Sequence, residues 1–119
     1  MKDFRDLKVW ERGHKLTLEI YKITSGFPRE EMYGLTSQMR RSCASIPTNI
    51  SEGCGRSRDT ELARFIEIAI GSASELEYLL QLSRDLALIK EADFKLLITE
   101  AVEVKKMLIS FFQKLKANC

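Results

Sequence analysis

From Leu7 onward the apolar positions Val9, Leu16, Ile20, Ile23 and Phe27 follow one another at steps of seven, four, three and four. That spacing holds side chains on one stripe of a helix and predicts a first helix over about 7–25. Gly26-Phe27-Pro28 then supplies a helix stop and an extended approach to the next element. Leu35, Met39, Cys43, Ile46 and Ile50 step by four, four, three and four and predict a second helix over about 30–53, closed by Gly53-Cys54-Gly55. Pro47 inside it cannot donate to the Cys43 carbonyl, so the helix is expected to bend there; the competing arrangement is two short helices split at Pro47. After Arg56-Ser57-Arg58, Asp59 or Thr60 is a candidate cap for a third helix over about 59–86, with Glu61 favourably placed in its first turn. Its stripe runs Leu62, Phe65, Ala69, Ala73 or Ser72, Leu76, Leu79 or Leu80, Ser83 and Leu86. The small residues from Ala69 to Ser74 would let a neighbouring helix approach closely. Phe94, Leu97, Ala101, Val104, Leu108, Phe111 and Leu115 mark a fourth helix over about 91–116.

Four amphipathic helices on short connections predict an all-α fold, an up-down-up-down antiparallel four-helix bundle occupying 1–119 as one domain. Composition agrees: 119 residues with 45% hydrophobic and 30% charged positions suit a single globular unit, and six Gly with two Pro leave few points to interrupt a helix. No stretch reaches the roughly 20 apolar residues that span a bilayer, and the first residues lack a signal peptide's apolar stretch, so the expected location is cytoplasmic. Cys43, Cys54 and Cys119 form no CxxC pair and read as free thiols. Trp10, Leu18, Tyr21, Ile66, Ile70 and Leu82 fall off the main stripes. They exceed what one slender bundle easily buries, which points to self-association.

Several separated segments, in order, resemble one family: Asp6-Leu7-Lys8-Val9-Trp10, Phe27-Pro28, the run from Tyr33 to Arg41, and Ser45-Ile46-Pro47-Thr48-Asn49-Ile50-Ser51-Glu52-Gly53. The similarity continues through Arg64-Phe65, Gly71-Ser72 and Glu75-Leu76-Glu77. These resemble the four-helix-bundle proteins related to the 23S rRNA intervening-sequence proteins. The resemblance implies a left-handed bundle assembled as a homopentameric ring, of bacterial origin. It extends to the accessory variability determinant of diversity-generating retroelements, which binds nucleic acid and works with a reverse transcriptase. By that precedent the implied partners are further copies of the chain, an RNA or RNA–DNA hybrid, and a reverse transcriptase where one is encoded nearby.

Enzyme signatures are scarce. Glu11 and His14 have the Glu-x-x-His spacing of di-iron bundles, but His14 is the only histidine and a second copy of the motif is absent, so no metal or cofactor is expected. The same lack of a second histidine leaves no catalytic set of Ser-His-Asp type, and none is assigned. Glu75 and Glu77 lie two apart on a helix and point to different sides, which excludes a general acid/base pair. Asn49 is expected to hydrogen-bond backbone freed by Pro47.

The segment from Glu52 to Thr60 offers more. Gly53 and Gly55 allow left-handed turn geometry, Arg56 and Arg58 sit between two helices, and the next helix presents unpaired N–H groups to an anion. The plain alternative is a helix stop with solvated arginines. In an up-down-up-down bundle the N-terminus, this loop and the C-terminus share one end, which carries ten basic groups against six acidic ones. Residues 65–104 carry three against eight, so a net charge of +2 conceals a polarised molecule. Arg40, Arg41, Arg56, Arg58, Arg64, Lys114 and Lys116 are therefore the candidate nucleic-acid contacts, and Trp10, Tyr21, Arg40 and Arg41 the candidate subunit contacts. No recognised nucleic-acid module or exposed aromatic platform is evident, so base-specific readout is not expected. The function these features suggest is non-enzymatic binding of structured RNA or RNA–DNA. The alternative is a protein-interaction scaffold without a nucleic-acid ligand.

Overall fold

The computed structural model describes residues 2–118; Cys119 lies outside the described residues. The chain forms four helices, α1 (Lys8–Thr24), α2 (Leu35–Cys54), α3 (Asp59–Asp85) and α4 (Glu91–Ala117), with 3-10 turns at Phe4–Asp6 and Arg29–Glu31. There is no strand among the described residues. The helices pack as a four-helix bundle, α2 against α3, α3 against α4, and α1 against α2 and α4.

Leu16, Ile20, Met39, Ile46, Ile50, Leu76 and Leu108 are fully buried, so the predicted stripes do meet at a common core. Ile66 is a correction. Its position off the main stripe predicts surplus surface, yet it is fully buried, because the wide apolar face of α3 serves both α2 and α4. Ile70, Leu82 and Trp10 are half-buried against the same core. Leu18 and Tyr21 stay exposed, as does Leu86, which was placed on the stripe and instead lies just past the end of α3.

The boundary of α2 also differs from the pattern. The chain from Arg29 to Glu31 makes a 3-10 turn, Gly34 adopts φ −114° and ψ −111°, and α2 starts only at Leu35. Glu31 supplies the reason: its carboxylate accepts from the Leu35 N–H at 3.2 Å, satisfying one free donor at that helix start. At the other helix starts the side-chain caps are absent. Arg58, not Asp59 or Thr60, occupies the cap position of α3, and Asp59 and Glu61 fall in the first turn instead, where they favour the helix dipole.

α2 runs through Pro47 without dividing. Thr17 on α1 lies beside the affected turn: its hydroxyl donates to Gly13 O at 2.8 Å and sits 3.4 Å from the Cys43 oxygen that Pro47 leaves free. Gly13 makes that approach possible, since a Cβ there would stand 3.2 Å from Ile46 Cγ2. Asn49 serves the turn differently from the expectation. Its amide donates to Ser45 O and Ser45 Oγ, at 2.7 and 2.8 Å, and not to the Cys43 carbonyl.

Contacts between neighbouring helices run in register. Gly53 meets Leu62 and Phe65, Ser45 Oγ lies 2.8 Å from Ser72 Oγ, and Ser83 donates to Met39 Sδ at 3.2 Å. Between α1 and α4, Arg12 bridges to Glu100; between α3 and α4, Lys105 Nζ lies 3.0 Å from Glu77 Oε2. The result is a rod of 45 × 22 × 20 Å.

Candidate nucleic-acid interface

The junction of α2 and α3 is tighter than a flexible glycine loop. No described glycine has positive φ, and Gly55 turns at φ −78°, ψ −7°. The left-handed geometry expected of Gly53 and Gly55 is thus not used. Gly53 is required for another reason: an added Cβ would stand 2.7 Å from Leu62 Cδ1 and 2.9 Å from Phe65 Cβ. Here the helices nearly touch, which holds the arginines of the junction on a rigid support. Arg56 Nη2 lies 3.4 Å from Glu52 Oε2, and its guanidinium stands 5.0 Å from the Phe65 ring centre. Arg56 and Arg64 share a shallow depression of about 200 Å³ with Glu61, Phe65 and Ile68. Arg58 projects into solvent beside it.

Arg40 and Arg41 lie apart from that junction, on the outer side of α2. Arg40 is stitched to the end of α1. Its Nε donates to Thr24 Oγ1 at 2.9 Å, its Nη2 to Tyr21 O at 3.3 Å, and its guanidinium stacks 4.7 Å from the Tyr21 ring centre. A helix C-terminus is a favourable place for a cation, so this contact closes α1 as well as orienting Arg40. Arg41 donates only to Ser37 Oγ, at 3.1 Å, and is exposed. Both arginines line one cleft of about 630 Å³ together with Tyr21 and Tyr33. Tyr33 is 97% exposed. No exposed aromatic is legible in the sequence, where the pattern predicts helix from about residue 30; the structure leaves Tyr33 and Tyr21 exposed, because Met32-Tyr33 falls in the turn ahead of α2.

Other candidates are spoken for within the chain. Arg12, one of the ten cations of the basic end, forms a two-pronged ion pair with Glu100, at 2.9 and 3.0 Å, and its guanidinium is held above its usual pKa chiefly by that hydrogen bond. The end is correspondingly less basic than residue counting suggests. Trp10 stacks on His14, the ring planes 7° apart and the centres 5.1 Å apart, and tilts against Phe4. Glu11 pairs with Lys15 Nζ at 3.6 Å, while the His14 ring stacks on Trp10. Lys114 and Lys116 occupy the last turn of α4, both exposed. Burial pushes the Cys43 thiol up to about 12, with the Thr17 hydroxyl opposing the shift, and burial also raises Cys54. These are unreactive core groups in character. Among the described residues no three His, Cys, Asp or Glu side chains gather as a metal site, and no helix is long and apolar enough to cross a membrane.

No curated protein matches the chain. A solved structure from Bacteroides thetaiotaomicron, a protein with unknown function from the S23 ribosomal protein family, shares the fold with a TM-score of 0.79. At 24% identity it covers 87% of this chain and 97% of its own. The family model for the 23S rRNA-intervening sequence protein matches residues 5–110, which takes in α1, α2, α3 and most of α4 and ends short of Lys114 and Lys116. The chain belongs to the 23S rRNA-intervening sequence protein family.

Proposed function

We propose that the protein is a non-enzymatic bacterial homo-oligomer, a cytoplasmic ring of five left-handed bundles, that binds structured RNA or an RNA–DNA hybrid through phosphate contacts without strong sequence readout. The observation that carries this reading is the state of its surface cations. Arg58, Arg64, Lys114 and Lys116 are exposed and have no ion-pair partner among the described residues, and Arg41 meets only a serine. An up-down-up-down antiparallel course is supported by the order of contacts, since α2 positions 53, 45 and 39 meet α3 positions 62, 72 and 83 in turn. On that course the junction arginines and the last turn of α4 share one end. Repetition around a ring would turn a modest patch into a multivalent one. A reverse transcriptase is the protein partner this reading favours where one is encoded nearby.

Titrating a structured RNA hairpin across a salt series tests the reading. Affinity should fall linearly on a log–log plot between about 50 and 200 mM salt, and Arg56→Ala/Arg58→Ala should flatten the slope by roughly one to two units. No binding at low salt, or affinity indifferent both to salt and to the double variant, would sink it and leave the scaffold reading.

A further inference from the structure

The cleft beside Arg40 and Arg41 is walled by two exposed tyrosines, whereas the aromatic at the basic junction, Phe65, is half-buried under Arg56. Tyr33 stands 97% exposed at the 3-10 turn leading into α2, and Tyr21 is 45% exposed on α1 beneath the Arg40 guanidinium. A large aromatic left almost bare contributes nothing to the core, and its face is free for a planar partner. The open cleft that the tyrosines line together with α2 measures about 630 Å³, roomy enough for one nucleotide to lie against it.

The lining has a defined charge. It contains two guanidinium groups and no carboxylate among the described residues. Arg40 is fixed by its bonds to Thr24 and Tyr21, so it presents a positioned cation, whereas Arg41 is held only by Ser37 and is free to meet an anion. Uncharged hydrogen-bonding groups sit farther along α2. Asn49 spends its amide N–H groups on Ser45, which leaves its side-chain oxygen as an acceptor without a partner, and Thr48 offers an exposed hydroxyl. An aromatic face, an uncompensated cation and a free polar edge are the three elements that recognise an unpaired nucleotide: base stacking, phosphate neutralisation and a bond to base or ribose.

We propose that this cleft binds one unpaired nucleotide of single-stranded RNA, its base stacked on Tyr33 and its phosphate against Arg41. The proposal rests on the nucleic-acid reading above and deepens it: duplex regions meet the bare cations of the junction, and a flipped or looped-out base enters the cleft.

Binding of decauridine and of a blunt ten-base-pair RNA duplex, measured by anisotropy, separates the two. Tyr33→Ala should weaken decauridine roughly 5- to 150-fold, Tyr33→Phe should bind it like the parent, and the duplex affinity should be unchanged by either. Arg41→Ala should lower the salt slope for decauridine by about 0.7. Because Tyr33 is almost wholly exposed and the one hydrogen bond of the exposed Arg41 side chain goes to Ser37, these variants should keep the bundle intact, as an unchanged helical circular dichroism spectrum checks. If the duplex binds while decauridine does not, or decauridine is indifferent to Tyr33→Ala, the cleft proposal falls and the phosphate-binding reading stands. If neither ligand binds at low salt, both fall. A drop in particle mass on Tyr33→Ala identifies a second copy of the chain as the occupant and overturns the proposal.

Discussion

Ala87 shows how a single residue records a choice made by the backbone. It has φ 60°, the only non-glycine with positive φ among the described residues. The reason is local: Leu88 N–H donates to Ser83 O at 2.8 Å and Ala87 N–H to Arg84 O at 2.9 Å, the paired bonds that close a helix through a left-handed residue. Glycine is the usual occupant, and an alanine there carries about 1–2 kcal/mol of steric cost. Ala87→Gly should therefore stabilise the protein by about 1 kcal/mol. Thermal unfolding should register that as a rise of about 4 °C for a domain of this size. An unchanged or lower midpoint would show that the turn is not strained. The break between two hydrophobic patterns at 87–90 is legible in the sequence, but its handedness is not, because alanine gives no hint of it.

At the scale of elements, two glycines that look alike in sequence have opposite meanings. Gly53 lies where α2 and α3 nearly touch, with no room for a Cβ, while Gly71 on α3 has nothing within 4 Å of the same atom. Gly53→Ala should cost about 1–3 kcal/mol by forcing Leu62 and Phe65 aside. Gly71→Ala should gain about 0.5–1 kcal/mol from helix propensity. Urea unfolding of both variants checks the pair, and shifts of the same sign would refute the packing argument. The small run from Ala69 to Ser74 suggested a close helix approach; the neighbours do meet Ala69 and Ala73, both fully buried, but Gly71 faces away. Periodicity was enough to find the helices and most core positions, because a stripe that repeats over many turns has few other ways to be buried. It could not show that Glu31 delays the start of α2, that Arg12 reaches Glu100, or that Tyr33 stands bare. Those facts depend on loop conformation and on which helix lies opposite, neither of which leaves a repeating trace.

The whole molecule is narrower than its mass requires. Its accessible surface is 7191 Å², against about 6,600 Å² for a typical folded monomer of 13.7 kDa, and its radius of gyration is 14.7 Å, against about 13.5 Å. The additional surface is not merely charged. Leu18, Ile68, Tyr78 and Leu96 are each more than half exposed, on α1, α3 and α4. Burying such side chains between copies recovers roughly 25 cal/mol per Å² and does not depend on ionic attraction. The proposed ring should then hold together in salt that strips nucleic acid from its cations. Light scattering should give a mass near five times 13.7 kDa, and that mass should persist from about 50 to 500 mM salt while RNA affinity declines steeply. A protomer mass at micromolar concentration would overturn the assembly. A ring that dissolves as salt rises would instead assign the surface cations to its joints, and the loss of RNA binding would then follow from loss of the ring.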